Sequence, residues 1–207
     1  MVVAGEALID LVIRTDGSVT AALGGGPFNV ARTIARLGGE VGFLGSVSDD
    51  RFGPMLAAQL LADGVSPAAT VRCELPTTLA AAELDDHGSA TYRFYFTDTS
   101  APALAEVPDV VRSADTFHVG TLGLVLEPMA STLVGLLAEL APDVLVMTDP
   151  NCRSRIIPDR QAYLARLAQV YAHSHIVKIS TDDAEYLAPG TDPVELARSI
   201  VAAGVRV

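Results

Sequence analysis

A glycine-rich turn followed by a helix constrains this chain more than any other segment. Residues 24–26 are three consecutive glycines, and Pro27 follows them. Glycine permits backbone conformations and close approaches that a Cβ would prevent, and proline suits the first turn of a helix because its missing N–H has no partner there. We therefore expect a helix to begin at about Pro27 and to end at Gly38.

The start of this predicted helix leaves backbone N–H groups free for a polar ligand. Asn29 lies in the first turn, and its amide both donates and accepts hydrogen bonds. A tight turn packed against a sheet is an equally good interpretation, because glycines alone do not specify a ligand. Neither common nucleotide fingerprint fits, since Asn29 stands where G-x-G-x-x-G needs its third glycine and the chain has a single lysine, Lys178, for a P-loop.

Composition excludes several classes of protein. At 207 residues, half of them apolar and 19% charged, the chain has room for one sizeable core and is not disordered. A net charge of −11 argues against nucleic acid and anionic membranes as partners. The first residues lack the basic start of a signal peptide, and no apolar run reaches membrane-span length. Cys73 and Cys152 have no metal-site spacing, which favours reduced thiols in a cytoplasm.

Strands alternate with helices along the chain, most regularly after residue 109. We predict strands at 2–4, 8–13, 41–47, 65–73, 77–84, 91–96, 116–119, 144–148 and 176–179, and later helices at 52–63, 128–140, 158–171, 181–187 and 192–203. This alternation predicts a parallel sheet with helices on both faces. The turn at 85–89 predicts a hairpin outside that order. Ligands of such sheets bind at the carboxyl ends of strands, here after residues 119, 148 and 179.

Polar side chains in apolar surroundings are the candidates for chemistry. Asp10 is an acid within an apolar strand, where it either faces water at an edge or meets a ligand. Asp149, Asn151 and Arg153 follow a buried-looking strand, where they either shape a turn or emerge at its functional edge. Lys178 lies at the end of another predicted strand. As the only lysine of the chain it is either held in place at the site or exposed to solvent.

Residues 24–53, from the glycine turn through the Val41 to Gly53 segment, resemble the first signature of the ribokinase-like (PfkB) sugar kinases. The resemblance implies a single α/β domain over residues 1–207, a parallel-sheet sandwich with helices on both faces. It also implies a small β lid whose strands are inserted at about residues 10–23 and 70–97. The activity implied is ATP-dependent phosphorylation of a sugar primary hydroxyl, with Mg²⁺ as cofactor. The aromatic side chains of residues 92–96 either pack within the lid sheet or form a homodimer surface between two lids.

The resemblance extends to particular residues of the sugar site. Residues 5–10 are similar to the family's opening, in which the aspartate binds sugar hydroxyls, and this implies that Asp10, Gly25, Gly26 and Asn29 hold the sugar. Residues 149–153 are similar to the D-P-N-x-R run of the fructokinase and 2-keto-3-deoxygluconate kinase branches, in which the arginine reaches an anionic group. By that resemblance Arg153 orients such a group.

The cofactor side of the site departs from the family pattern. The family usually has N-x-x-E where this chain has Ser180 and Asp183. The resemblance implies that Lys178 and Ser180 contact the cofactor and that Asp183 supports Mg²⁺. An aspartate keeps a hard oxygen ligand with a shorter reach, so we expect a contact through water.

The family's late G-A-G-D motif, which carries its catalytic aspartate, does not occur in this sequence. We therefore expect the catalytic base to lie beyond Val207, with the C-terminal part of the fold absent from this chain. Residues 76–80 and 92–96 resemble the fructokinase lid more than the ribokinase lid. The hypotheses are a fructokinase-like kinase represented by its sugar-binding part, a non-catalytic sugar-binding remnant, and a nucleoside kinase of the same fold.

Overall fold

The computed structural model describes residues 1–87 and 89–207. Gly88, which belongs to the turn predicted at 85–89, lies outside the described residues. The strands are β1 (Val2–Ala4), β2 (Leu8–Ile13), β3 (Val19–Gly24), β4 (Gly42–Leu44), β5 (Ser46–Ser48), β6 (Val71–Cys73), β7 (Leu79–Leu84), β8 (Ala90–Tyr95), β9 (Thr116–Gly120), β10 (Leu145–Asp149) and β11 (Ile176–Val177). The α-helices are α1 (Gly26–Arg36), α2 (Phe52–Ala62), α3 (Met129–Glu139), α4 (Arg160–His173), α5 (Thr181–Leu187) and α6 (Pro193–Ala202).

The central sheet has five parallel strands in the order β11-β10-β9-β1-β4. Its two faces are covered by different helices, because successive side chains of a strand point to opposite sides. In β1, Val2 and Ala4 pack into a core with residues of α3 and α4, whereas Val3 packs with residues of α1 and α2. The predicted α/β fold, with a parallel sheet between two helical layers, is confirmed.

A second sheet of four strands, in the order β3-β2-β7-β8, lies beside the central one. The chain passes from the central sheet into this four-stranded sheet at residues 5–7, between β1 and β2. The hairpin predicted outside the β-α order is present, since β7 and β8 pair antiparallel with Leu84 opposite Ala90. Val19 and Tyr95 are more than half exposed on this sheet. The homodimer expected through it stays a prediction.

Four strand predictions were wrong in extent, one of them 77–84, because β7 begins only at Leu79. The segment 41–47 forms two strands rather than one, because at Gly45 the backbone lies so close to Gly5 that a Cβ would be 2.5 Å from its carbonyl oxygen. β5 then pairs with β6 in a separate two-stranded sheet. The segment 65–73 is extended mainly at β6, after a 3-10 turn at Pro67–Ala69. β11 stops at Val177, two residues before the predicted end.

Among the residues that the structure describes, no helix is both long and apolar enough to cross a membrane.

The contact between β9 and β10 at Gly120 provides a test of this packing. A Cβ at Gly120 would lie 1.9 Å from the backbone carbonyl oxygen of Asp149, and backbone cannot move aside as a flexible side chain does. We expect Gly120→Ala to lower the free energy of unfolding by about 3 kcal/mol, the upper range for overpacking. Equilibrium urea denaturation measures it.

Gly135→Ala is the matched control, because a Cβ at Gly135 in α3 meets nothing within 4 Å. Alanine in a helix interior should raise the free energy of unfolding by roughly 0.5–1 kcal/mol. Equal effects of the two substitutions would contradict the close approach of β9 and β10.

Candidate functional site

A cavity of about 520 Å³ opens at the carboxyl edge of the central sheet. Its walls come from β2 and β8, from the N-terminus of α1, and from the turns that follow β9 and β10. A cavity of this size suits a small molecule, and its polar side chains suit a polar one. Those polar side chains include Asp10, Asn29, Thr121, Asn151, Arg153 and Arg155.

The glycine turn forms the floor of the cavity. Gly25 precedes α1 with a φ of 110°, a left-handed value that favours glycine. A Cβ at Gly25 would lie 2.4 Å from the backbone oxygen of Glu6, so the turn touches the junction between β1 and β2. The Gly26 N–H donates to Glu6 Oε1 at 2.9 Å. The start of α1 is therefore fixed to the segment that follows β1. The two backbones approach too closely there for a side chain on Gly25.

Asp10 presents its carboxylate from β2. A Cβ at Gly24 in the neighbouring β3 would lie 2.1 Å from Asp10 Oδ2, so glycine there makes room for the acid. Partial burial raises the pKa of Asp10 above its ordinary value. Within the part of the chain that the structure describes, no donor hydrogen-bonds to this carboxylate, and its oxygens remain available to a ligand.

Asn29 lies in the first turn of α1, where its orientation is set by a neighbouring arginine. Arg32 Nη1 donates to Asn29 Oδ1 at 3.3 Å, while Arg32 Nε contacts Asp63 Oδ2 at 2.6 Å. The NH₂ group of Asn29 donates to no partner within the described residues and can therefore donate to a ligand in the cavity, which Asn29 lines.

The turn after β10 brings two arginines to the cavity. Asn151 has a φ of 40°, which turns the chain sharply at the strand end. Arg153 and Arg155 then line the cavity. The turn is held from behind, because the Cys152 N–H donates to Asp183 Oδ1 at 2.6 Å. Positive charge and the carboxylate of Asp10 therefore line the same cavity.

The residues predicted to hold the sugar lie together in the structure. Asp10, Gly25, Gly26, Asn29 and Arg153 all line this cavity. Their roles toward a sugar stay predictions, but their convergence from β2, α1 and the turn after β10 is now a property of the fold.

The residues predicted for the cofactor lie outside the lining of the cavity. Lys178 Nζ pairs with Asp149 Oδ2 at 3.0 Å. Ser180 and Asp183 form the capping box of α5: Asp183 Oδ2 accepts from the Ser180 N–H at 2.8 Å and from Ser180 Oγ at 2.7 Å. Burial disfavours the charge of Asp183, yet the hydrogen bonds from Ser180 and Cys152, with Lys178 nearby, lower the pKa of this acid.

Asp183 thus has both carboxylate oxygens engaged within the protein, and the residue is 3% exposed. Because the carboxylate is buried behind these donors, direct coordination of Mg²⁺ would require the cap of α5 or the turn after β10 to move. Across residues 1–87 and 89–207, no three His, Cys, Asp or Glu side chains are grouped so as to hold a metal ion. The predicted contact of Asp183 with Mg²⁺ through water, and those of Lys178 and Ser180 with the cofactor, stay predictions.

Sequence reasoning missed Glu6, Thr121 and Arg155. Glu6 is 1% exposed and lies beneath the glycine turn. Its sequence signal was its position as an acid within the apolar first segment of the chain. Thr121 gave no sequence signal, because its place in the cavity depends on a φ of 54° after β9. Burial raises the pKa of Glu6 to about 8, although the N–H groups of Gly26 and the turn after β9 oppose the shift.

A parallel α/β sheet with a second sheet beside its carboxyl edge, and a polar cavity between them, defines an α/β protein with a candidate small-molecule site at its strand ends. The chain belongs to the pfkB family of carbohydrate kinases, whose family profile matches residues 1–206. The predicted family is therefore confirmed. This family consists of phosphotransferases.

Curated relatives agree with this assignment. The chain is 32% identical over 198 residues to fructokinase-2 of Oryza sativa subsp. japonica, an alignment that covers 90% of this chain and 59% of the relative. It is also 32% identical to a fructokinase of Rhizobium leguminosarum bv. trifolii, with coverage of 88% and 57%. The chain therefore spans less than two thirds of the length of these relatives.

Solved structures agree as well. A fructokinase from Xylella fastidiosa with bound ATP superposes with a TM-score of 0.88 at 27% identity, covering all of this chain and 65% of that one. A fructokinase from Halothermothrix orenii gives the same TM-score of 0.88 at 22% identity, with 99% and 76% covered, and supports the fold alone.

The buried carboxyl of Glu6 predicts how stability depends on pH. Its pKa is about 8 in the folded chain against 4.5 for an ordinary glutamate, so the folded state keeps a proton that the unfolded state loses. The free energy of unfolding should fall as pH rises from 4.5 to 8, by at most about 5 kcal/mol from this group, and then level off. Urea denaturation across this range measures the fall.

Glu6→Gln should remove that part of the pH dependence, since an amide does not titrate. Glu106→Gln, at an exposed position, is the matched control and should keep it. If native and Glu6→Gln chains lost stability in parallel between pH 5 and 8, the buried acid would not be the cause.

Proposed function

We propose that this chain forms the sugar-binding part of a fructokinase-like carbohydrate kinase that transfers a phosphoryl group from ATP to a primary hydroxyl of a sugar. The observation that carries the proposal is the convergence of Asp10 and Asn29 on one cavity at the glycine turn. The ligand-binding half of the site is complete enough in the described residues to be tested by itself.

The chemistry of the lining suits a molecule with several hydroxyl groups. A hydroxyl both donates and accepts, so a carboxylate such as Asp10 and an amide donor such as Asn29 can together fix neighbouring hydroxyls. Tyr92 and Phe94 of β8 add an apolar wall, their rings stacked with centroids 6.2 Å apart. Such a wall suits the C–H face of a sugar ring. It is part of the four-stranded sheet.

The arginines give the cavity a second, anion-binding side. Arg153 and Arg155 supply guanidinium donors, which match phosphate and carboxylate oxygens in geometry and charge. ATP, when bound, would supply the phosphoryl group, and these two residues are the ones in the lining that fit its charge. The described residues do not fit Mg²⁺ directly, since Asp183 is engaged as a cap, so we assign the chain no step that depends on the metal.

The place of action that we propose is the cytoplasm. Cys73 and Cys152 are free thiols in the structure, as a reducing compartment would keep them.

Substitution of Asp10 tests the proposed sugar site. Asp10→Asn keeps the shape but removes the charge that strengthens hydrogen bonds to hydroxyls, and such bonds contribute roughly 1.5–3 kcal/mol. We expect fructose affinity to fall by about tenfold to hundredfold. Isothermal titration calorimetry of the chain with fructose, ribose, 2-keto-3-deoxygluconate and adenosine measures affinity and preference together.

Asp143→Asn, at an exposed position before β10, is the matched control and should bind as the native chain does. Equal binding by Asp10→Asn and the native chain would contradict the proposed site. Magnesium-dependent ADP release in parallel assays separates a kinase from a sugar-binding protein without transfer. Adenosine binding more tightly than any sugar would favour a nucleoside kinase.

A further inference from the structure

Glu6 is a buried acid whose two oxygens differ in their surroundings. It lies where the chain leaves the central sheet for the four-stranded sheet, between β1 and β2. Glu6 Oε1 accepts the N–H of Gly26 at 2.9 Å. Glu6 Oε2 is fully buried and, within the described residues, has no hydrogen-bond partner. The side chain also lines the cavity from below.

Three segments that shape the cavity meet at this side chain. The glycine turn contacts Glu6 through the Gly26 N–H, and the open side of Gly26 is directed at Thr121: a Cβ there would lie 2.8 Å from Thr121 Oγ1 and 3.5 Å from Glu6 Oε1. The backbone N–H groups of Leu122 and Gly123 also act on the carboxyl. Glu6 therefore bonds the start of α1 at a point where α1 lies against the turn after β9.

The environment of Glu6 favours its neutral form. Burial raises the pKa to about 8, and the opposing influences are all backbone N–H groups rather than charged side chains. As a neutral acid, Glu6 accepts at Oε1 and carries its proton at Oε2. Ionisation would place a charge with no counter-ion inside the closed junction, at a high desolvation cost.

We propose that Glu6 is a positioning residue of the cavity: as the neutral carboxylic acid it holds the N-terminus of α1 against the turn after β9, and so sets the affinity of the cavity for its sugar. This inference rests on the proposed function. Loss of the proton favours a state in which the junction opens to water. Asn29 is carried on the same first turn of α1 and moves with it.

The other groups around Glu6 do not account for a change between pH 7 and 9. The titratable or charged side chains on the elements around Glu6 lie on four parts of the fold: Asp10 on β2, Arg32 and Arg36 on α1, His118 and Asp149 on β9 and β10, and Cys152, Arg153 and Arg155 in the turn after β10. Burial lowers the pKa of His118 in β9, against the influence of Asp149, so this imidazole is already neutral at pH 7. Burial raises the pKa of the Cys152 thiol to about 11, above the range.

The test measures fructose affinity by calorimetry from pH 6.5 to 9 for the native chain, Glu6→Gln, Glu6→Ala and the control Glu106→Gln. With a midpoint near pH 8, the neutral fraction of Glu6 falls about tenfold between pH 7 and 9, and fructose affinity should fall with it. Glu106→Gln should follow the native chain. Glu6→Ala should bind weakly throughout, whereas Glu6→Gln should rescue binding and show no pH dependence.

A second readout uses the ligand-free chain, so that it does not depend on the sugar. The NMR amide signals of Gly26 and Leu122 should titrate with a midpoint near pH 8 in the native chain and stay constant in Glu6→Gln. Should Glu6→Gln fail to fold, the native pH profiles of affinity and of these amides still decide the matter.

The outcomes separate this inference from the proposed function. Amides that titrate while native affinity stays constant overturn the role of Glu6 in binding, and amides that do not titrate overturn its role in positioning. If the native chain binds no sugar at any pH, the proposed function fails. The amide titration then decides alone whether Glu6 positions α1.

Discussion

The close approach of the glycine turn to the junction between β1 and β2 is the contact on which the cavity depends. Gly25 has room for no Cβ beside the Glu6 backbone, and the Gly26 N–H donates to the Glu6 carboxyl. This contact places the amide-rich start of α1 at the carboxyl edge of the central sheet. It also fixes where β2 begins, so Asp10 reaches the same space from the four-stranded sheet.

The elements that sequence predicted well are those defined by local chemistry. α1 begins within one residue of its prediction, because a glycine turn and Pro27 mark a helix start independently of the rest of the chain. The segment 41–47 was wrongly predicted as a single strand, because the break between β4 and β5 depends on a distant contact, that of Gly45 with Gly5. Apolar periodicity is the same on both sides of that break, and only the tertiary fold separates them.

The residues of the candidate site also differ in whether local sequence or a distant contact determines their place. The sequence made Asp10 and Asn29 candidates, since a lone acid in a strand and an amide in a helix start are visible in it, and the structure places both at the cavity. Their roles toward a sugar stay predictions. Asp183 shows the opposite, because its sequence position does not reveal that its oxygens cap α5 and hold the turn after β10. Glu6 was missed because its burial and its hydrogen bond depend on a turn 20 residues away.

The most direct test of the central claim is a crystal structure of this chain with bound fructose. We expect the sugar in the cavity at the carboxyl edge of the central sheet, with hydroxyls in contact with Asp10 and Asn29 and the ring against β8. Fructose bound elsewhere, or in this cavity without contact to either residue, would contradict the account.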